Sequence, residues 1–112
     1  MKRTVIIVCA LITLGATILV GQRTPQGQYD VYGSGAASCG AWTGDLRNEV
    51  RHALQKMWVL GFISGAGWGT ARPQLKPTDA DGIDQFITTY CAGHPLEAIH
   101  VAAEACALEL RK

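Results

Sequence analysis

Four side chains near the end of this 112-residue chain have types that could bind a metal. Cys91, His94, His100 and Cys106 form a C-x2-H…H-x5-C pattern that resembles a zinc site. However, His100 and Cys106 are six residues apart, which places them about 120° apart around one helix and not on one face. Cys91 is also expected to be oxidised. We therefore expect no metal site and no cofactor.

Asp79, Asp81 and Asp84 could instead form the start of a calcium-binding loop. An EF-hand needs acids at positions one, three and five, glycine at six and glutamate at twelve. Here Gly82 is at position four and no glutamate follows at the required place. Acidic side chains in a first helical turn interact favourably with the helix dipole. We interpret the three acids as the start of a helix.

The stretch Met57–Ala71, "MWVLGFISGAGWGTA", contains four glycines and could be a phosphate-binding loop. A Walker loop requires lysine and then serine or threonine after its last glycine, whereas Gly69 is followed by threonine and alanine. The uncharged run is also too short to span a membrane. Gly61 and Gly65 share one helical face. We expect a buried helix in which these two glycines allow a neighbouring backbone to pack closely.

No residues assemble into a nucleophile with its base. Ser64 has no identified histidine and aspartate partners, and His94 is expected in a loop or cap. We therefore predict that the protein is not an enzyme. Residues 22–112 contain eight basic and nine acidic residues without a basic cluster, so nucleic-acid binding is not supported.

The N-terminus is typical of an export signal. Lys2 and Arg3 precede seventeen uncharged residues, Thr4–Val20. Gly21 is the best small residue for cleavage, but no Ala-x-Ala site is present. Residues 1–21 are therefore predicted to be a signal peptide or an uncleaved inner-membrane anchor. In both cases the rest of the chain faces outward, in the periplasm or secreted.

The remaining chain divides into a predicted flexible linker, residues 22–38, and a helical domain, residues 39–112. The linker is rich in Gln, Gly and Ser and has no apolar periodicity. The domain lacks hairpin signals and alternating runs, which predicts an all-α bundle of about three main helices. A domain this small gains much from a covalent cross-link.

Each predicted helix has an apolar stripe at spacings of three and four. The first, capped by Thr43 or Asp45, has a stripe formed by Leu46, Val50, Leu54, Met57, Gly61 and Phe62. The second, capped by Thr78, Asp79 or Asp81, has a stripe formed by Ile83, Phe86, Ile87 and Tyr90. The third begins at Pro95 and has a stripe formed by Leu96, Ile99, Ala103, Cys106 and Leu110.

Three cysteines in the predicted domain allow three disulfide pairings. Cys106 lies on an apolar stripe, where a free thiol behaves as a small hydrophobe. Cys39 and Cys91 both lie at helix boundaries, so we favour the Cys39–Cys91 pairing; Cys91–Cys106 is the main alternative. A Cys39–Cys91 bridge closes a loop of about fifty residues and is worth roughly 4 kcal/mol.

The motifs "SCGAW", "WVLGFISG" and "DADGIDQFITTYCAGHPLEAIHVAA" resemble those of the Rap/Tai family of small exported immunity proteins. The shared pattern is a Cys, a later Trp-x-x-Gly-aromatic, and Tyr-Cys-x-x-x-Pro-Leu before an Ala-rich helix. More distantly, the chain is similar to the HdeA/HdeB periplasmic acid-stress chaperones. The resemblance spans Ser38 to about Leu110 and implies a Cys39–Cys91 bridge in the periplasm. It departs at His94, where asparagine is expected as cap, and at the extra Cys106.

The resemblance implies a protein partner. As an immunity protein, the chain would bind and neutralise a cell-wall-active effector; as an acid-stress chaperone, it would hold unfolded clients. The candidate contact residues are Arg47 and Arg51 on the first helix, and Trp68 and Arg72 in the following loop. An aromatic side chain on a loop is a good anchor for a partner, although Trp68 could instead complete the core.

Overall fold

Side-chain caps mark where three of the four described helices begin. The computed structural model describes residues 29–69 and 75–112. Backbone N–H groups donate to the side chains of Ser38, Asn48 and Asp79, each at the residue before a helix. A 3-10 turn, Gly33–Ala36, precedes four helices, which are α1 (Cys39–Asp45), α2 (Glu49–Trp68), α3 (Ala80–Gly93) and α4 (Ile99–Leu110). The all-α fold is confirmed for the described residues, which contain no strand.

The first predicted helix is in fact two helices. Asn48 caps α2 by accepting a hydrogen bond from the N–H of Arg51 at 3.1 Å. The predicted caps were wrong, because both side chains are used elsewhere. Thr43 donates to the carbonyl of Cys39 within α1, and Asp45 accepts from Gln55 of α2.

The predicted disulfide is confirmed. Cys39 at the start of α1 is bonded to Cys91 near the end of α3, 52 residues away, and both are fully buried. One core surrounds the bridge, and all four helices contribute to it. The largest fully buried side chains of this core, apart from the two cysteines, are Trp42, Val59, Ile87 and Ile99. Cys106 is free and buried in this core, as predicted.

The second predicted helix is α3, and its stripe is confirmed. Ile83 and Ile87 are buried, while Phe86 and Tyr90 are partly buried against the core. Asp79 is its cap: its carboxylate accepts from the N–H of Gly82 at 2.7 Å.

The third helix begins four residues later than predicted. Residues 95–98 pair with residues 37–40 instead, through an isolated antiparallel bridge between Ser38 and Ala98. The carbonyls of Glu97 and Pro95 accept from the N–H groups of Cys39 and Gly40, respectively. Pro95 and Leu96 form a turn, in which the N–H of Glu97 donates to the carbonyl of His94 at 3.1 Å. Leu96 therefore lies outside the helix and is almost fully exposed, so its predicted place in the core was wrong.

The packed part of the chain begins before Cys39. Within the predicted linker, residues 29–38 contact the helices: the indole N–H of Trp58 donates to the carbonyl of Tyr32 at 2.7 Å. Gly35 lies under the same ring, where an added Cβ would be only 2.2 Å from the indole. The prediction of a flexible linker therefore does not hold for residues 29–38.

The predicted signal or anchor, residues 1–21, and the first part of the predicted linker lie outside the described residues, as does Arg72. Within residues 29–69 and 75–112, no helix combines the length and the apolar composition needed to cross a bilayer.

Candidate functional site

The outer side of α2 carries a row of exposed apolar residues. Val50, Leu54 and Met57 are 71%, 61% and 66% exposed, and Trp68 is 93% exposed. At 3.6 residues per turn, these four side chains project within about 60° of one another, and three small residues between them widen the face to about 100°. We call this row the α2 stripe; its members are Val50, Leu54, Met57, Gly61, Ser64, Gly65 and Trp68.

The prediction that this row lies in the core was therefore wrong. The stripe predicted for the first helix shares Val50, Leu54, Met57 and Gly61 with the α2 stripe, and Leu46 just before it is also exposed. The face of α2 that enters the core carries the buried Gln55, Val59 and Ile63, with Phe62 packed against it in part.

Polar pairs hold the N-terminal half of α2 in this orientation. Gln55 donates to Asp45 of α1 at 3.0 Å. His52 contacts Asp84 of α3 at 3.0 Å, and its ring packs edge-on against Trp42 at 4.8 Å between centroids. Because these polar residues find partners on α1 and α3, they lie inward and leave the apolar row outside.

Lys56 continues this polar junction. Its ammonium lies 3.0 Å from Asp81 and 3.3 Å from Asp84, both on α3. The hydrogen bond to Asp81 is the largest cause that raises the pKa of Lys56 above its usual value, and burial opposes it. The pairs between α2 and α3 therefore depend on ionised carboxylates.

The junction also leaves three buried polar atoms without a hydrogen bond: Nδ1 of His52, Oε1 of Gln55 and Oδ1 of Asp84. Oδ1 of Asp84 is the oxygen nearest to His52, but the hydrogen bond is made by Oδ2 at 3.3 Å. The junction is therefore polar and imperfectly satisfied, in contrast to the apolar packing around the disulfide.

Two glycines at the centre of the stripe face open space. A Cβ built on Gly61 or Gly65 would meet no atom within 4 Å. Glycine inside a helix costs about 1 kcal/mol relative to alanine. The prediction of a neighbouring backbone against these glycines was wrong within the described chain, since none approaches them.

The predicted contact residues lie at opposite ends of α2. Arg47 is exposed in the connection before the helix, and Arg51 is exposed in its first turn, 3.6 Å from Asp45. Trp68 is the last residue of α2, about 25 Å along the axis from Arg51 at 1.5 Å per residue. The structure does not bring them together in one cluster; they flank the two ends of the α2 stripe. Because Trp68 is exposed, it does not complete the core.

The residues considered for catalysis are also separated. Ser64 donates to the carbonyl of Leu60 at 2.8 Å. It lies about 18 Å along α2 from His52, the histidine that pairs with a carboxylate. His94 follows α3 and stacks on Tyr90 at 4.2 Å between ring centroids.

The histidines and cysteines considered for metal binding have other partners. Cys91 is in the disulfide, and Nδ1 of His100 lies 3.2 Å from the carbonyl of Gly35. Across the part of the chain that the structure describes, no group of three or more His, Cys, Asp or Glu residues is arranged to hold a metal ion.

A small pocket between α3 and α4 reaches the buried thiol of Cys106. Its volume is about 160 Å³, and Ile83, Phe86 and Leu110 form much of its wall. Ligand pockets for small molecules are usually about 300 Å³ or larger. Burial is the main cause that raises the pKa of Cys106, which keeps the thiol protonated and unreactive. The α2 stripe is therefore the stronger candidate for function.

Comparison with protein-family models, with curated proteins and with solved structures found no match to this chain. The resemblance to the Rap/Tai family therefore stays a prediction from the motifs quoted above.

The residues of the stripe were visible in the sequence but were assigned to the core. A signal for the correct assignment was present. From Met57 onward α2 is apolar on nearly every face, and a helix that contacts the core on one side buries only part of these residues. The two glycines on one face support the same assignment, because a core-facing position in a small domain is normally filled by a side chain.

Proposed function

We propose that this chain is an exported, non-enzymatic protein-binding domain whose contact surface is the α2 stripe. In line with its resemblance to the Rap/Tai family, the partner is a cell-wall-active effector that the domain binds and neutralises. The buried Cys39–Cys91 disulfide supports an oxidising destination such as the periplasm.

One observation carries this proposal: the α2 stripe is an exposed helix face without a charged residue, and it presents four large apolar side chains. Contiguous apolar patches on soluble domains are typical of interaction sites. Tryptophan and methionine, which the stripe presents at Trp68 and Met57, are enriched in protein interfaces. Arg47 and Arg51 lie beside its N-terminal end and supply the charged rim that such interfaces have.

The stripe also favours a folded protein partner over a small ligand. It is an open helix face, about 27 Å long from Val50 to Trp68, and not a concave pocket. A helix or groove on another protein can cover such a surface, whereas small molecules bind in clefts that bury most of their surface.

The immunity role predicts that a gene beside that of this chain encodes a peptidoglycan amidase, and the test is inhibition of that enzyme. We expect stoichiometric inhibition by the exported protein. Leu54→Glu should abolish it, because a carboxylate would be buried against the apolar contact. Leu96→Glu is the matched control, since Leu96 is also exposed, at 96% against 61% for Leu54, but lies outside α2. Absence of inhibition by the unmodified protein would refute the immunity role, and equal inhibition by both variants would refute the stripe as the contact.

A second function, the acid-stress chaperone, is favoured by one observation at the α2–α3 junction. Asp81 and Asp84 of α3 form ion pairs with Lys56 of α2, and Asp84 also contacts His52 of α2. The chaperone role requires that this contact between the helices loosens in strong acid and exposes apolar surface that holds unfolded clients. The chaperone role predicts that the protein suppresses aggregation of a model client at about pH 2–3. No protection at that pH would exclude it.

A further inference from the structure

We propose that, in the absence of its partner, the α2 stripe pairs with α2 of a second copy of this chain in antiparallel order. The inference rests on the proposed function, because it assigns an occupant and a regulation to the same surface. It is carried by the order of large and small residues along the stripe.

The stripe is complementary to itself when reversed. An antiparallel pair centred near Val59 places Leu54 opposite Ser64 and Met57 opposite Gly61 of the other copy. In each case a large side chain faces a residue with little or no side chain. At the two ends, Val50 faces Trp68, so the smallest of the large side chains meets the largest.

The spacing along the stripe is that of a coiled-coil seam. The steps from Val50 to Trp68 alternate between four and three residues, through Leu54, Met57, Gly61 and Ser64. This alternation is the a and d pattern of a heptad, which keeps one seam facing a partner helix. Gly61, at the centre of the seam, allows the two helix backbones to come close together, since no atom of residues 29–69 or 75–112 lies over it.

A parallel pair fits the same residues poorly. Each residue would then face its own copy, so that Trp68 would meet Trp68 and Gly61 would meet Gly61. The first contact crowds one end of the seam, and the second leaves a gap at its centre. Gaps and overpacking both destabilise apolar contacts.

Charge does not oppose the antiparallel pair. No stripe residue is charged, and in the antiparallel order the charge of Arg51 lies beside Gly65 of the other copy. The seam itself is formed by Val50, Leu54, Met57, Gly61, Ser64 and Trp68, and the positions that flank it are Arg51, Ala53, Trp58, Leu60, Gly67 and the stripe residue Gly65. With one charged residue among them, close to the end of the seam, like charges do not meet.

The size of the seam sets the expected strength of the dimer. A contact about 27 Å long and about 10 Å wide covers roughly 300 Å² per copy, less than the ~800 Å² per partner of a standard interface. Because α2 is already held by the fold, pairing requires no further helix formation. We therefore expect a dissociation constant in the micromolar range, so that an effector that binds more tightly displaces the second copy.

Sedimentation velocity of the exported protein from about 1 to about 300 µM tests the inference. We expect a monomer–dimer equilibrium that Leu54→Glu weakens by more than about 100-fold and Leu96→Glu leaves unchanged. A monomer at every concentration, or equal weakening by both variants, would overturn the proposal.

Cysteine cross-linking tests the direction. Leu54→Cys combined with Ser64→Cys should form dimers under mild oxidation, whereas Leu54→Cys alone should not, because antiparallel order places the two copies of that residue about 15 Å apart. Cross-linking by the single variant would show a parallel pair. The amidase assay separates the two proposals: inhibition by a strictly monomeric protein refutes only the dimer, and a dimer that does not inhibit refutes only the immunity role.

Discussion

The two open glycines of the α2 stripe make a prediction in which stability and binding change in opposite directions. A methyl group at Gly61 or Gly65 meets no atom of the described residues within 4 Å, and both residues lie inside α2. Each Gly→Ala substitution should therefore stabilise the monomer by about 1 kcal/mol through helix propensity alone. The double variant should gain about 2 kcal/mol, which raises Tm by roughly 8–16 °C in a domain of this size.

Urea and thermal unfolding followed by circular dichroism measure this gain, at low concentration so that dimer formation does not contribute. Gly35→Ala is the contrasting variant, since its Cβ would be 2.2 Å from the ring of Trp58, and it should destabilise the fold. In the sedimentation assay the Gly61→Ala/Gly65→Ala variant should dimerise more weakly, because the methyl groups keep the helices apart. A loss of monomer stability in this variant would mean that α2 is covered within the chain, and the reasoning would be refuted.

Three further predictions concern the body of the domain. Replacing both Cys39 and Cys91 by alanine should lower the free energy of unfolding by about 4 kcal/mol in urea titrations, and a loss below about 1 kcal/mol would contradict the closed-loop argument. Burial and the hydrogen bond to Glu104 raise the pKa of Tyr29 to about 12, so the stability from this contact is present below about pH 10 and lost as pH rises through about 12. Tyr29→Phe should remove the part of the stability loss at alkaline pH that comes from Tyr29. If the free energy of unfolding of this variant depends on pH as it does in the unmodified protein, the role given to Tyr29 is contradicted. Cys106 should resist alkylation in the native protein and react in urea, as mapped by peptide mass; labelling of the folded protein would show that the thiol is accessible.

The parts of the fold that the sequence predicted well have signals that act locally. The α3 helix has a capping aspartate, Asp79, and an apolar stripe that packs against the core. The disulfide followed from cysteines at two helix boundaries together with the family resemblance. In these cases the local preference and the tertiary contact agree.

The orientation of α2 could not be predicted from periodicity. The helix has apolar residues on most faces, and periodicity does not say which face a core covers. The orientation of α2 is set by His52, Gln55 and Lys56. These side chains lie on the inner side of the helix because they pair with Asp45, Asp81 and Asp84 of the neighbouring helices. Such pairs join separate elements and leave no periodic signal.

The start of α4 was mispredicted for a similar reason. Proline favours a first helical position, which made Pro95 a reasonable start. The backbone of residues 95–98 is instead held by hydrogen bonds to residues 37–40, a long-range contact that overrides the local preference. The residues of the candidate site could thus be identified from the sequence, but which of them face solvent depends on contacts between helices.

The central claim is that the apolar face of α2 is a surface of the folded chain and not part of its core. The free energy of unfolding of Leu54→Glu, measured in dilute solution where the protein is monomeric, tests it most directly. Because Leu54 is exposed, we predict a value within about 0.5 kcal/mol of the unmodified chain. A loss of about 3 kcal/mol or more, as expected for a carboxylate forced into a core, would contradict the account.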